Sequence, residues 1–184
     1  LSEASSSDSV ARERHCGRGG SAGDMLYLIP APVHRSALRL AHRLRLVWWQ
    51  VRRPRLDGCR VLAFDAEDRV LLVRHSYGSG RWMLPGGGLG QGEEPLAAAA
   101  RELSEEVGCG LAGARLLEVL EEPLSGATNR VHVVTGRIAG TPRPDGREIV
   151  ELTCFAATGL PADLSPALSD RIGNWIARGL AGPD

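Results

Sequence analysis

Glu102, Glu105 and Glu106 fall at i, i+3 and i+4 in an Ala-rich stretch. A helix there would crowd three carboxylates onto one face. Like charges at this spacing cost about 0.2–0.5 kcal/mol each on an exposed helix, whereas a hard divalent cation takes oxygen ligands and relieves the repulsion. Magnesium in particular leaves coordination positions for substrate phosphates. Taken alone, the triplet favours a solvated acidic face with Arg101 supporting Glu105 at i+4. The surrounding spacing goes against that plainer account. From Gly87 to Cys109 the chain reads GGLGQGEEPLAAAARELSEEVGC, a Gly-rich turn entering the helix that carries the acids.

That segment resembles a Nudix box, whose pattern is G, five residues, E, seven residues, REU, one residue, EE, one residue and GU, with U aliphatic. Gly87 opens it, Glu93 follows after five residues, and Arg101-Glu102-Leu103 after seven more. Glu105-Glu106 and Gly108 complete it, with Cys109 standing where an aliphatic residue is usual. A buried cysteine behaves as a small hydrophobe, so the departure bears on packing only. Upstream, Arg81-Trp82-Met83-Leu84-Pro85-Gly86-Gly87-Gly88 resembles the WxLPGGG approach to the box, where glycines let the backbone turn beside a metal or phosphate.

The resemblance implies an α/β fold, an α/β/α sandwich with a mixed sheet and the box as a loop–helix–loop beside it. It also implies metal-dependent hydrolysis of a phosphoanhydride in a nucleoside diphosphate linked to another moiety, as in ADP-ribose, a sugar nucleotide or a nucleoside triphosphate. Mg²⁺, with Mn²⁺ as substitute, would be held by Glu102, Glu105, Glu106 and the Gly87 carbonyl, while Glu93 and Arg101 pair to orient the loop against the helix. The general base stays open among Glu105, Glu106 and an acid outside the box, Glu148 or Glu151, of which Glu148 is the external candidate. Tyr77, Trp82 and Phe155 are candidates to stack on a base, and Thr128, Asn129 and Arg130 to meet phosphate or ribose. The box does not name the substrate. An RNA 5′-pyrophosphohydrolase and a non-catalytic nucleotide-sensing module are the rival functions.

The net charge is zero but unevenly spread. Met25 to Arg55 holds seven arginines and no acid, whereas Leu56 to Asp184 holds twelve arginines against eighteen acids. Lysine is absent, so individual arginines carry less meaning than usual. Cys16, Cys59, Cys109 and Cys154 show no zinc-type spacing and read as free thiols in a reducing, cytoplasmic setting. No apolar run reaches the roughly 18–20 residues of a membrane span.

These residues must be positioned by a particular set of elements. Residues 1–24, rich in Ser, Gly and charge, are expected to be a disordered leader, with Met25 as a native start. Residues 25–55 form a basic arm expected to be helical, and residues 56–184 the catalytic domain. Three uses of the arm compete: packing on the domain or in a homodimer, lying on an anionic membrane surface, and gripping RNA phosphates. Cys59 to Phe64 and Val70 to Arg74 suit a hairpin. The box helix should run from Pro95 to Val107, with Glu94 at the cap, Gly108 ending it, and Leu96, Ala99, Ala100, Leu103 and Val107 as its apolar stripe. Strands are expected at Arg115 to Leu120, Arg130 to Arg137 and Ile149 to Ala157, and one closing helix from Leu164 or Ser165 to Arg178.

Overall fold

The computed structural model describes residues 55–124 and 127–182, together with Ala37, Leu40, Ala41 and Leu44. The expected leader, and the arm apart from those four positions and Arg55, lie outside the described residues. The four arm positions are helical, and Leu40 and Leu44 are exposed.

Five strands form one mixed sheet: β1 (Arg55–Phe64), β2 (Val70–His75), β3 (Gly110–Leu124), β4 (Ala127–Ala139) and β5 (Ile149–Phe155). Their spatial order is β3-β4-β1-β2-β5, with β1 and β4 parallel and the other pairs antiparallel. Among the described residues, three α-helices accompany the sheet: α1 (Pro95–Val107), α2 (Pro166–Ser169) and α3 (Ile172–Leu180). Among the described residues no helix is long and apolar enough to cross a membrane.

Side chains alternate across the sheet with the strand period of two, and each face has its own core. Leu62, Phe64, Val70, Leu72, Val131 and Val133 meet Trp82, Leu168, Ile172, Trp175 and Ile176 on the α3 side. Cys59, Val61, Ala63, Leu71, Val73 and Val134 meet Ala98, Ala99, Leu103 and Val107 of α1 on the other. Burying Leu103 and Val107 fully contributes about 2 kcal/mol each, and Ala98 and Ala99 let α1 approach the sheet closely.

β1 and β2 share only the Phe64↔Val70 register pair next to their turn. Beyond it they part, and the segment from Met83 to Leu89 is wedged between them. Val61 and Cys59 donate their N–H groups to the Pro85 and Gly87 carbonyls at 2.8 Å, Leu89 donates to the Asp57 carbonyl at 3.0 Å, and Met83 and Val73 exchange backbone bonds. This wedge ties the glycine loop to both strands through isolated bridges, so it is not a free turn.

α1 has the expected bounds. Pro95 stands in its first turn and Gly108 ends it in the left-handed region at φ 66°. Glu94 occupies the cap without a side-chain capping bond. The buried stripe is Ala98, Ala99, Leu103, Glu106 and Val107, so the expected stripe is corrected: Leu96 is exposed and Glu106 turns inward. The closing helix is two helices, since α2 ends at Ser169, with Asp170 as its cap, before α3 starts at Ile172. β1, β3 and β4 each extend beyond their expected limits, because cross-strand partners continue the ladder past the apolar runs. Thr128, Asn129 and Arg130 therefore lie within β4 and not in a turn.

Candidate active site

The loop from Gly87 to Glu94 lies against the acidic face of α1, and Arg101 joins the two. Its guanidinium donates Nε to Glu93 Oε1 at 2.8 Å and Nη2 to Glu93 Oε2 at 2.9 Å, the two-pronged geometry that fits a carboxylate best. The same group reaches Glu102 at 2.8 Å, Glu105 at 3.3 Å and the Gly88 carbonyl at 3.1 Å. Glu93 Oε2 also accepts the Gly90 N–H at 2.7 Å, so this one acid ties the loop to itself and to the helix. Its pKa is drawn down to about 2, chiefly by the Arg101 bonds and then by the Gly90 N–H.

The three box acids do not share one environment. Glu105 stands in solvent, its side chain 61% exposed. Glu102 is half-buried, and burial raises its carboxyl pKa despite the opposing Arg101 contact. Glu106 is 4% exposed. Its Oε2 accepts the Gly86 N–H at 3.1 Å and its Oε1 faces His75 Nε2 at 3.1 Å. Burial pushes the Glu106 pKa up, with the His75 and Gly86 contacts working against it and the charge of Glu148 adding to the rise.

Two glycines of the loop have separate reasons to be glycine. A Cβ on Gly86, which has φ 145°, would run into the Cys59 carbonyl, a backbone atom that cannot move aside. A Cβ on Gly87 would lie 2.5 Å from the Glu102 carboxyl carbon, occupying the space in front of that acid. Gly58 likewise has no side chain to press on the Gly87 carbonyl oxygen, which would lie 3.1 Å from its Cβ.

Among the described residues no group of three or more His, Cys, Asp or Glu side chains is arranged to hold a metal ion. Glu102, Glu105 and Glu106 are each engaged with protein partners instead. The donor set nevertheless suits a hard cation, because three carboxylates and the Gly87 carbonyl supply oxygen only, and the absence of a Cβ on Gly87 lets the Glu102 carboxylate lie directly against the loop.

A second pair of candidates meets beside this face. The Tyr77 hydroxyl donates to Glu148 Oε1, and Ser76 donates its backbone N–H to the Glu148 carbonyl at 2.7 Å. Asp145 holds the approach to β5 by accepting the backbone N–H groups of Arg147, Glu148 and Ile149. Arg130 is exposed on β4, level with Glu121 of β3 and with Asp57 of β1, whose carbonyl accepts the Leu89 N–H of the loop. Trp82 is corrected from a stacking candidate to core: it is 4% exposed, edge-on to Phe155 at 5.1 Å and covered by the Arg74 guanidinium at 4.6 Å. His75, absent from the expected site, meets Glu106; a histidine ending an apolar strand carries no local signal of the distant acid it faces.

A NUDIX domain family model matches residues 54–176. The human protein named diphosphoinositol polyphosphate phosphohydrolase 3-alpha is 45% identical over 65 residues, covering 35% of this chain and 40% of that protein. A rat protein named diphosphoinositol polyphosphate phosphohydrolase 2 is 40% identical over 78 residues, covering 42% of this chain and 44% of its own. The chain thus spans about two-fifths of the length of the curated relatives it matches. Among solved structures, a MutT NUDIX hydrolase from Burkholderia pseudomallei superimposes with a TM-score of 0.58 at 29% identity, covering 67% of this chain and 97% of that one.

Proposed function

Because the chain belongs to the NUDIX family, we propose that it is a divalent-metal-dependent pyrophosphohydrolase, cleaving a phosphoanhydride in a nucleoside diphosphate linked to another moiety. The observation that carries this is the Arg101 fork onto Glu93, which fixes the glycine loop against a helix face bearing Glu102, Glu105 and Glu106. A purely solvated acidic face has no use for a half-buried and a buried carboxylate.

Glu102, Glu105, Glu106 and the Gly87 carbonyl would hold Mg²⁺, or Mn²⁺ in its place. When bound, such a cation neutralises phosphate charge and lowers the pKa of water. The chain's own residues do the rest. Arg101 sets the loop-to-helix distance and screens the acids from one another, and the Gly86 N–H holds Glu106 by one oxygen. Hydrolysis forms a bond from water oxygen to phosphorus, breaks the bridging P–O bond and leaves its electron pair on the departing phosphate. The water's proton goes to a carboxylate. Glu105 is our assignment, since it is the acid most open to solvent; Glu148, held by Tyr77, is the rival. Glu106, buried and engaged at both oxygens, is a holding group and not a base.

A second substrate class has its own support. The relatives at 40–45% identity are named for diphosphoinositol polyphosphates, which also carry a phosphoanhydride. The test is product release with Mg²⁺ or Mn²⁺ across ADP-ribose, sugar nucleotides, nucleoside triphosphates, diphosphoinositol polyphosphates and 5′-triphosphorylated RNA, with Glu106→Gln as control. Turnover of one class that is lost in the control supports the proposal and names the substrate. Absence of turnover throughout, in folded protein that binds nucleotide, would replace the enzyme with a sensing module.

A further inference from the structure

His75 belongs to no motif, yet its position is specified by several elements at once. It ends β2, where the register against β5 jumps from Arg74↔Glu151 to His75↔Ile149. Val150 is thereby skipped and left exposed. Such bulges re-aim the side chains beside them. Alternation along β2 puts His75 on the face of Leu71 and Val73, beneath α1. There its side chain is 8% exposed, with Nε2 against Glu106 Oε1. Its Nδ1 is buried with no hydrogen-bond partner among the described residues. An unsatisfied buried nitrogen works against folding, and an apolar side chain would avoid that cost. The imidazole is therefore explained by what Nε2 does.

Between them, His75 Nε2 and the Gly86 N–H engage both oxygens of Glu106, which fixes the plane of its carboxylate. The neighbouring Tyr77 ring lies 5.1 Å from the imidazole, tilted by 53°, and reaches Glu148 through its hydroxyl. The end of β2 thus holds an acid from α1 and an acid from the approach to β5 side by side.

We infer that His75 is a positioning residue: through Nε2–H it presents the Glu106 carboxylate to the metal-holding set in one orientation. This rests on the proposed metal-dependent function of the box. Partners that orient a ligand in this way change metal affinity or activity by roughly 10–100-fold when removed.

The test measures Mn²⁺ binding by electron paramagnetic resonance and, on the same full-length preparations, kcat, KM and thermal unfolding. The proteins are wild type, His75→Gln, His75→Asn, His75→Leu and Glu106→Gln. A glutamine amide nitrogen falls near the place of Nε2, whereas an asparagine amide nitrogen falls near Nδ1, where no partner waits. We expect His75→Asn and His75→Leu to lose about tenfold or more in Mn²⁺ affinity and kcat, with little change in KM, and His75→Gln to restore most of both. If His75→Leu does not fold, the Gln and Asn contrast decides alone. Unchanged binding and turnover in the His75 variants would overturn the inference, as would an equal loss in Gln and Asn, which marks a merely structural histidine. Wild-type Mn²⁺ affinity and turnover in Glu106→Gln would instead bring down the proposed function itself, and this inference with it.

Discussion

Glu93 precedes α1 and Glu106 stands in its last turn, and the protein treats them in opposite ways. Glu93 is held by a permanent cation at the surface, with its pKa drawn down to about 2. Glu106 is sealed beneath the helix against an imidazole and one backbone N–H, with its pKa raised by burial. The first arrangement favours charge and holds a loop in place. The second opposes charge and makes sense when a cation is expected beside it. An acid that strengthens the fold and an acid held ready for chemistry can therefore be told apart by their partners, even within one motif.

The largest expected effect tests the functional half of that contrast. Glu106→Gln should lower turnover by roughly a hundredfold or more, since metal-assisted charge stabilisation is worth several kcal/mol and each 1.4 kcal/mol is tenfold. It should not lower the melting temperature at neutral pH, because it removes a buried charge of raised pKa. A melting temperature below wild type would break the comparison.

The glycine pair sharpens it next. Gly87→Ala should fold, because the atoms met by the new Cβ are the movable end of Glu102, yet lose activity by about tenfold or more as that carboxylate is displaced. Gly86→Ala should be destabilised by about 2 kcal/mol or more, since it meets backbone at a positive φ. Thermal unfolding and kinetics on the two variants would separate them; the reverse pattern would contradict the placement of Glu102.

Arg101→Lys should reduce turnover by about tenfold, because a lysine supplies charge without the fork onto Glu93. The smallest effect is on stability alone. The folded-state pKa of Glu93 lies below the ordinary glutamate value of 4.5, so its contribution is complete above that pH and is lost as pH falls toward about 2. Glu93→Gln should therefore melt below wild type at pH 7, with the gap closing as the pH is lowered through that window. A gap independent of pH would mean that the loop is held by something other than the Glu93 charge.

The box helix is legible in the sequence to the residue, because Pro95 and Gly108 mark its ends through local backbone chemistry. The face it buries is less so: Leu96 looks apolar and is exposed, while Glu106 looks like a surface acid and is buried. Glu106 meets the Gly86 N–H from the segment Met83 to Leu89, whose pairing with β1 and β2 no local pattern announces. The same holds for His75, whose meaning comes from a bulge opposite Val150 and an acid on another element. Tyr77 and Glu148 were each readable as site candidates, but their hydrogen bond depends on how β5 returns beside β2. Trp82, a stacking candidate by type, is core because it bridges Leu164 while the next residue, Met83, pairs with Val73 of β2.

The most direct measurement is a crystal structure of the full chain with Mn²⁺, read by anomalous scattering. We expect one peak shared by the Glu102, Glu105 and Glu106 carboxylates beside the Gly87 carbonyl, with Glu93 still forked on Arg101. A peak elsewhere, or none while Glu102 and Glu106 keep their present partners at saturating Mn²⁺, would contradict this expectation.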